Sequence, residues 1–326
     1  MKTKKPDIFL GITMCMLVLA AVLCIVILFV QNDSNNAATD NTNPPVVDSN
    51  TPVNTGNISM DSNATTEPST PIQTEPVTPV VFDPIDSEGL KAALNDSLNG
   101  LTSEWQVMVI DPWDDTKVGS SVNCNVDDWM TANRMTPVFI MGTVFQQAAE
   151  GKLTIDAVQA DLEAMLGGDT YAADRLTEQL GGGDAAAGRE TVKAFVAANG
   201  LQLGFNRPNT GTADKKNYVT AQKAAEFLSL ICQGKLVSKE ASAQMLELLF
   251  SKANSQDIDT GIAGEGVRAG FIHDVEDKVC ICSMGVVQTN GRSFVIGIVC
   301  NKPVTTDGAK ARVAELIGIA KPYFEK

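Results

Sequence analysis

MTANRMTPVFIMGTVFQQAAEGKL, residues 130–153, predicts a long buried helix that determines how the chain around it is arranged. Its run of Met, Val, Phe and Ile side chains is typical of a core helix and not of a cofactor site. Thr136 suits the N-cap because its oxygen accepts an orphan amide, and Pro137 suits the first helical position because it lacks that amide. We therefore predict a helix over residues 137–150 that begins at Pro137 and not at Arg134.

Strands are predicted on both sides of this segment. Those before it are WQVMVIDP (105–112) and KVGSSVNCN (117–125), and those after it are GVRAGFIHD (266–274), KVCICSMGVV (278–287) and SFVIGIVC (293–300). Asn290-Gly291 joins the last two as a hairpin. Because these strands are apolar nearly throughout, we expect helices on both faces of the sheet, supplied from the two ends of the chain.

Helical periodicity predicts the remaining elements. These helices lie near residues 86–101, 155–165, 171–180, 190–199, 220–232, 239–249 and 307–324. The predicted fold class is α/β (α+β), with a five-stranded antiparallel sheet flanked by helices, plus an all-helical lobe.

The N-terminal part of the 326-residue chain is predicted to lie outside this fold. Lysines precede an uncharged apolar stretch, residues 8–30, that is long enough to span a bilayer. The positive-inside bias then predicts a cytoplasmic tail (1–7), a transmembrane helix or signal anchor (8–30) and an extracellular C-terminal domain (85–326). Residues 31–84 are rich in Asn, Thr and Pro and lack Lys and Arg, which predicts a disordered linker.

The charge and the cysteines of the chain argue against nucleic-acid binding, a disulfide framework and a zinc site. A net charge of −14 leaves no basic stripe for nucleic acid. Five cysteines remain outside the apolar stretch, an odd number, and the hairpin register places Cys282 opposite Val299 and Ile281 opposite Cys300, so no disulfide crosses the hairpin. His273, Cys280 and Cys282 are residue types that bind zinc, but the local sequence offers no fourth ligand. No metal or cofactor is therefore predicted.

Four segments, together with the order of elements, carry a family resemblance. They are VFIMGTVFQQAAEGKL, EAMLGGDTYAADRLTEQLGGG, KKNYVTAQKAAEFL and GVRAGF. As a set they resemble the serine β-lactamase and penicillin-binding protein family, most closely class A. This resemblance implies a β-lactamase-like fold over nearly all of the predicted extracellular domain.

The resemblance also shows how much of the family's active site is altered. Family chemistry uses a serine activated by a lysine three residues later. Matched to the family's three motifs, the S-x-x-K, Ser-Asp-Asn and Lys-Thr-Gly positions here are Arg134 and Pro137, then Gly168, Asp169 and Thr170, then Arg268, Ala269 and Gly270. Arginine stays protonated and proline has no ionisable group, so neither can act as nucleophile or base.

Other nucleophiles are poorly placed in the sequence. Thr220-x-x-Lys223 and Thr212-x-x-Lys215 fit a threonine–lysine motif, but neither follows the second strand. Ser120 and Ser121 have no nearby lysine, and the loop GFNRPNTGTADKKNY (204–218) has no glutamate to replace the family's deacylating base, with Asp214 a poor substitute. His273 has no nucleophile tied to it by spacing and is interpreted as a satisfied residue at a strand end.

These observations favour a catalytically inactive, membrane-anchored β-lactamase-like domain, a pseudoenzyme that binds or scaffolds at the cell envelope. Candidate partners are a cell-wall peptide or an envelope protein. The alternatives are an active serine hydrolase with a relocated nucleophile and a purely structural extracellular domain. Two arrangements of the cleft are open: Arg134 and Arg268 together grip a carboxylate, or Arg134 pairs with Asp169 and plugs the site, which we favour.

Overall fold

A computed structural model describes residues 82–132, 134–210, 216–253, 258–290 and 292–325. The predicted tail and transmembrane helix, and the linker up to residue 81, lie outside the described residues. Among the residues that are described, no helix is long and apolar enough to cross a membrane.

A five-stranded sheet in the order β2-β1-β7-β6-β5 forms the centre of the fold, and every neighbouring pair is antiparallel. The strands are β1 (Glu104–Ile110), β2 (Lys117–Val122), β5 (Val267–Glu276), β6 (Cys280–Thr289) and β7 (Arg292–Asn301). Two short strands, β3 (Met130–Thr131) and β4 (Tyr218–Val219), pair with each other beside it. The predicted register is confirmed, with Cys282 opposite Val299 and Ile281 opposite Cys300.

Eight α-helices occur in the described residues, and they agree closely with the prediction. They are α1 (Ser87–Leu98), α2 (Pro137–Ala149), α3 (Ile155–Leu166), α4 (Thr170–Leu180), α5 (Ala185–Ala198), α6 (Ala221–Cys232), α7 (Lys239–Lys252) and α8 (Thr306–Ala320), followed by a 3-10 turn (Lys321–Tyr323). Helix α5 starts five residues before its predicted start at Glu190, because the Asp184 carboxylate caps it by accepting from Ala186 and Ala187.

Both faces of the sheet are buried, as the continuous apolar strands predict. Helices α1 and α8 cover one face through residues such as Leu94 and Val313, and the helical lobe covers the other through residues such as Phe139 and Phe227. The prediction that the chain ends supply the cover is therefore right for one face only. The second face is covered by the helical lobe, which comes from the middle of the chain, between β2 and β5.

Helix α6 approaches the sheet closely because β7 carries a glycine where they meet. A Cβ atom added at Gly297 would stand 2.2 Å from the main-chain oxygen of Ala221, a distance that side chains do not tolerate. The first residue of α6 is thus seated directly on the strand.

The start of α2 agrees with the prediction in position but not in mechanism. Thr136 is the N-cap and Pro137 begins the helix. The Thr136 hydroxyl does not cap the helix, however; it donates to Oδ1 of Asn209 at 2.5 Å. The predicted start at Pro137 is confirmed, and the Thr136 hydroxyl binds the loop at Asn209 instead of capping the helix.

A buried ion pair joins the end of β1 to the start of β7. The Arg292 guanidinium donates to the carboxylate of Asp111 at 2.5 Å and to the main-chain oxygen of Asp83 at 2.8 Å. The two side chains are 4% and 0% exposed. Phe82 and Phe324 lie within 5.4 Å of the guanidinium, so the charge is enclosed by aromatic rings.

Replacing Arg292 by methionine should lower the free energy of unfolding by about 3 to 5 kcal/mol, because it leaves the Asp111 carboxylate buried without a partner. Urea unfolding of the full chain measures this difference. The exposed Arg268–Glu247 pair is a matched control, and Arg268→Met should cost less than about 1 kcal/mol. Equal losses in the two variants would contradict the argument.

Candidate functional site

A cavity of about 260 Å³ lies where the start of α2, the junction of α3 and α4, the loop at Asn209 and the edge strand β5 meet. Five of the eight predicted site residues line it, namely Arg134, Pro137, Gly168, Asp169 and Thr170. The other lining residues are Met165, Leu166, Gly167, Ala173, Asn209, Ile272, His273 and Val275. The structure thus brings two of the three predicted motifs together.

Arg134 lies at the mouth of this cavity with its side chain exposed. Its main-chain amide donates to Oδ2 of Asp274 on β5 at 2.9 Å, across 140 positions in the chain. Among the described residues, no carboxylate lies within ion-pair distance of its guanidinium. The residue is therefore held by its backbone, while its charged end faces solvent.

Asp169 has a structural role that excludes the predicted plug. Its carboxylate caps α4 by accepting from the amides of Tyr171 at 2.8 Å and Ala172 at 3.3 Å. Its ion-pair partner is Arg175, at 3.8 Å, and not Arg134. The predicted pairing of Arg134 with Asp169 is therefore wrong, because one carboxylate oxygen of Asp169 caps the helix and the other faces Arg175. Gly168 precedes it with φ +103°, a conformation that only glycine adopts freely.

Arg268, Ala269 and Gly270 are on β5 but do not line the cavity; the strand residues that do are Ile272, His273 and Val275. Arg268 forms a two-pronged ion pair with Glu247, at 3.0 and 2.6 Å. A Cβ at Gly270 would stand 2.4 Å from the main-chain oxygen of Leu249, so this glycine admits helix α7 and not a ligand. The predicted two-arginine cleft does not form.

His273 and Asp274 are the site residues whose role the sequence did not reveal. The interpretation of His273 as a satisfied strand-end residue is wrong, since its buried Nδ1 has no hydrogen-bond partner in the described structure. Burial, with a smaller effect from Lys310, lowers the pKa of His273 to about 4, so the ring is neutral at pH 7. Burial likewise raises the pKa of the Asp274 carboxyl, against the opposing effect of the Arg134 amide.

Asn209 forms the opposite wall through a network centred on Asp174. One oxygen of Asp174 accepts from the Asn209 amide at 2.7 Å, and the other accepts from the Thr210 amide at 3.0 Å. Asn209 in turn accepts from Thr136 at the start of α2. In the sequence this network is marked only by the Asn209-Thr210 pair, and such a pair occurs in loops of many kinds.

The predicted alternative nucleophiles that are described lie outside the cavity. The Thr220 oxygen accepts from the Lys223 amide at 3.0 Å as a helix cap, and the Lys223 ammonium pairs with Glu226 at 2.9 Å. Ser120 donates to Asn95 at 2.5 Å. Thr212, Asp214 and Lys215 lie outside the described residues. Thr170 carries the only hydroxyl among the described residues that line the cavity, and they include no serine, cysteine or lysine.

Behind the cavity, three side chains of types that can bind metals come together. One carboxylate oxygen of Asp274 and the sulfurs of Cys280 and Cys282 lie within 4.8 Å of one another, and all three residues are buried. His273 is not in this group, because alternate residues of a strand point to opposite faces. All five cysteines in the described part of the chain are free thiols.

Comparison with known proteins establishes the fold. A family model described as the beta-lactamase enzyme family matches residues 162–320. Among solved structures, the TLA-1 extended-spectrum β-lactamase has a TM-score of 0.63 at 14% identity, covering 74% of this chain and 99% of its own. The β-lactamase from Sphaerobacter thermophilus has a TM-score of 0.59 at 15% identity, covering 72% and 96%. No curated protein matches the chain.

A third similar structure is a variant of the class A β-lactamase of the last common ancestor of Gram-negative bacteria, with a TM-score of 0.60 at 16% identity, covering 73% of this chain and 100% of its own. The predicted resemblance is thus confirmed, and the chain carries a β-lactamase-like domain. The family match begins after Arg134 and Pro137, so the altered nucleophile segment falls outside it.

Proposed function

We propose that this β-lactamase-like domain is a catalytically inactive binding module, anchored in the cell membrane, whose cavity recognises a carboxylate at the cell envelope. The observation that carries the proposal is the lining of the cavity, whose described residues offer an exposed arginine but no candidate nucleophile other than Thr170. Because arginine binds carboxylates well and transfers no proton, such a lining suits recognition better than hydrolysis.

The main-chain amide of Arg134 gives further support for the loss of hydrolysis. Acyl transfer needs free amide donors aimed at the oxygen of the reacting carbonyl. Here the amide at the nucleophile position donates to Asp274, so it is not free to stabilise the oxygen of a reacting carbonyl. Among the described residues that line the cavity, no lysine accompanies Thr170, and the neighbouring Asp169 carboxylate is already used as a helix cap.

The remaining features of the cavity suit a peptide terminus. Arg134 supplies the positive charge at the mouth, and the apolar side chains of Met165, Ile272 and Val275 supply contact area behind it. A terminal D-alanine of a cell-wall peptide has the matching combination of carboxylate and methyl group. Because the His273 ring is neutral, it adds a polar wall without adding a second positive charge beside Arg134.

Membrane anchorage rests on the sequence alone. The apolar residues 8–30 and the preceding lysines favour a single membrane span with the N-terminus in the cytoplasm. Residues 31–84 would then act as a tether with a mean reach of roughly 40 Å, which lets the domain search the layer above the membrane.

Catalytic inactivity is tested with a chromogenic cephalosporin and with penicillin. The full chain should hydrolyse the cephalosporin no faster than an inert protein does, and its intact mass should not change after excess penicillin. A covalent adduct, or saturable hydrolysis removed by one Ser or Thr substitution, would support the active serine hydrolase instead.

Carboxylate recognition is tested by calorimetry with a peptide ending in D-alanine. Arg134→Gln should weaken binding tenfold or more, as should amidation of the peptide's C-terminus, because a charge-assisted hydrogen bond contributes about 1.5 to 3 kcal/mol. Arg268→Gln is the matched control and should leave binding unchanged, since Arg268 is paired with Glu247 outside the cavity. No binding at millimolar peptide would refute the proposal.

Membrane topology is tested by adding protease to intact cells that express the chain with an N-terminal tag. Cleavage within residues 31–84 should release the C-terminal domain and leave the tag in the membrane fraction, because only the tail is cytoplasmic. Deletion of residues 8–30 should move the chain to the soluble fraction. A chain protected from protease in intact cells would contradict the predicted orientation.

A further inference from the structure

Three buried side chains behind the cavity do not line it and take no direct part in the proposed recognition of a carboxylate. Asp274 on β5 pairs with Cys282 on β6, and Cys280 lies two residues earlier on the same face of β6. Their exposed fractions are 1%, 0% and 0%. The sheet register therefore fixes one carboxylate and two thiols side by side.

One oxygen of this group has no partner. Oδ2 of Asp274 accepts from the Arg134 amide at 2.9 Å and lies 3.6 Å from the Cys280 sulfur, but the buried Oδ1 has no hydrogen-bond partner in the described structure. An unpaired carboxylate oxygen in an apolar core is costly, because it loses its water without gaining a donor. A cation bound at the cluster would supply the missing interaction.

A disulfide between the two cysteines fits this geometry less well. Residues two apart on a strand have Cα atoms about 6.6 to 6.8 Å apart, at the upper limit for a disulfide. Two sulfurs bound to one tetrahedral zinc stand about 3.8 Å apart, as follows from Zn–S bonds of about 2.3 Å. Ligand atoms already within 4.8 Å of one another need only a small contraction to reach that arrangement.

We propose that Asp274, Cys280 and Cys282 bind a divalent thiophilic cation, for which Zn²⁺ is the best match. Two thiolates select a soft or borderline metal, and the carboxylate favours Zn²⁺ over Cu⁺. Binding releases the thiol protons to solvent, and the two positive charges of the ion offset two of the three negative charges of the ligands. Water or the main-chain oxygen of Thr131, which is 3.5 Å from the Cys282 sulfur, completes the coordination.

Such an ion would tie the cavity to the sheet. Asp274 holds the amide of Arg134, and Cys282 contacts Thr131 in β3, so two ligands touch the segment that leads into α2. The cluster is fully buried, and the metal is therefore acquired as the domain folds. This site stands independently of the proposed carboxylate recognition, because none of its ligands lines the cavity.

The test is the zinc content of the full chain, purified in mild detergent from cells grown with added Zn²⁺ and freed of loosely bound metal. About one zinc per chain is expected by elemental analysis. Cys282→Ser and Asp274→Asn should each reduce the content at least tenfold. Cys232→Ser is the control, since this thiol lies on α6 outside the cluster, and should leave the content unchanged.

Growth with Co²⁺ gives a second readout, which the wild-type chain can show by itself. The wild-type chain should show thiolate-to-cobalt charge-transfer absorption in the near ultraviolet, which Cys232→Ser retains. A wild-type chain without this absorption and without zinc would overturn the proposal. Equal zinc in wild type and Cys282→Ser, or a metal-free mass lower by two hydrogens that maps to a Cys280–Cys282 disulfide, would overturn it as well.

Discussion

The structure depends on the need to cover both faces of a sheet whose central strands are apolar nearly throughout. Strand β7 is buried at nine of its ten positions, so neither face can meet water. Helices α1 and α8 close one face, while the chain between β2 and β5 must return as a helical lobe to close the other. The cavity lies where this lobe meets the open edge of β5, and the fold thereby creates a cleft whether or not catalysis is retained.

Most of the fold could be predicted from sequence because its signals are local. Apolar runs, the Asn290-Gly291 turn and helical periodicity identify the five long strands and most helix boundaries. The two-residue strands β3 and β4 escaped prediction, since a pair that short has no periodicity. The early start of α5 was missed because Asp184 acts through its side chain in an alanine-rich segment that looks neutral.

The site was only half predictable, and the difference has a physical cause. Arg134 and Asp169 sit at helix starts, where motif spacing fixes position, and both reached the cavity. Placement on β5 could not be fixed in the same way, because Arg268-Ala269-Gly270 keeps only a cation and a glycine of the family's motif, and positions along a strand are poorly fixed by sequence. Arg268 was therefore placed at the cleft when His273 is there, and Asp274, whose partners are 140 and six positions away, was missed.

The position of Arg292 gives the domain a defined path for mechanical load. Its guanidinium grips the main chain at Asp83, where the upstream segment joins the fold, and is itself held by Asp111 beside β1. A pull on the chain before Asp83 therefore reaches Phe82 and the Arg292 side chain, and through Arg292 the centre of the sheet, ahead of helix α1. Adjacent strands β1 and β7 share the tension, so the domain resists peeling from its N-terminal end.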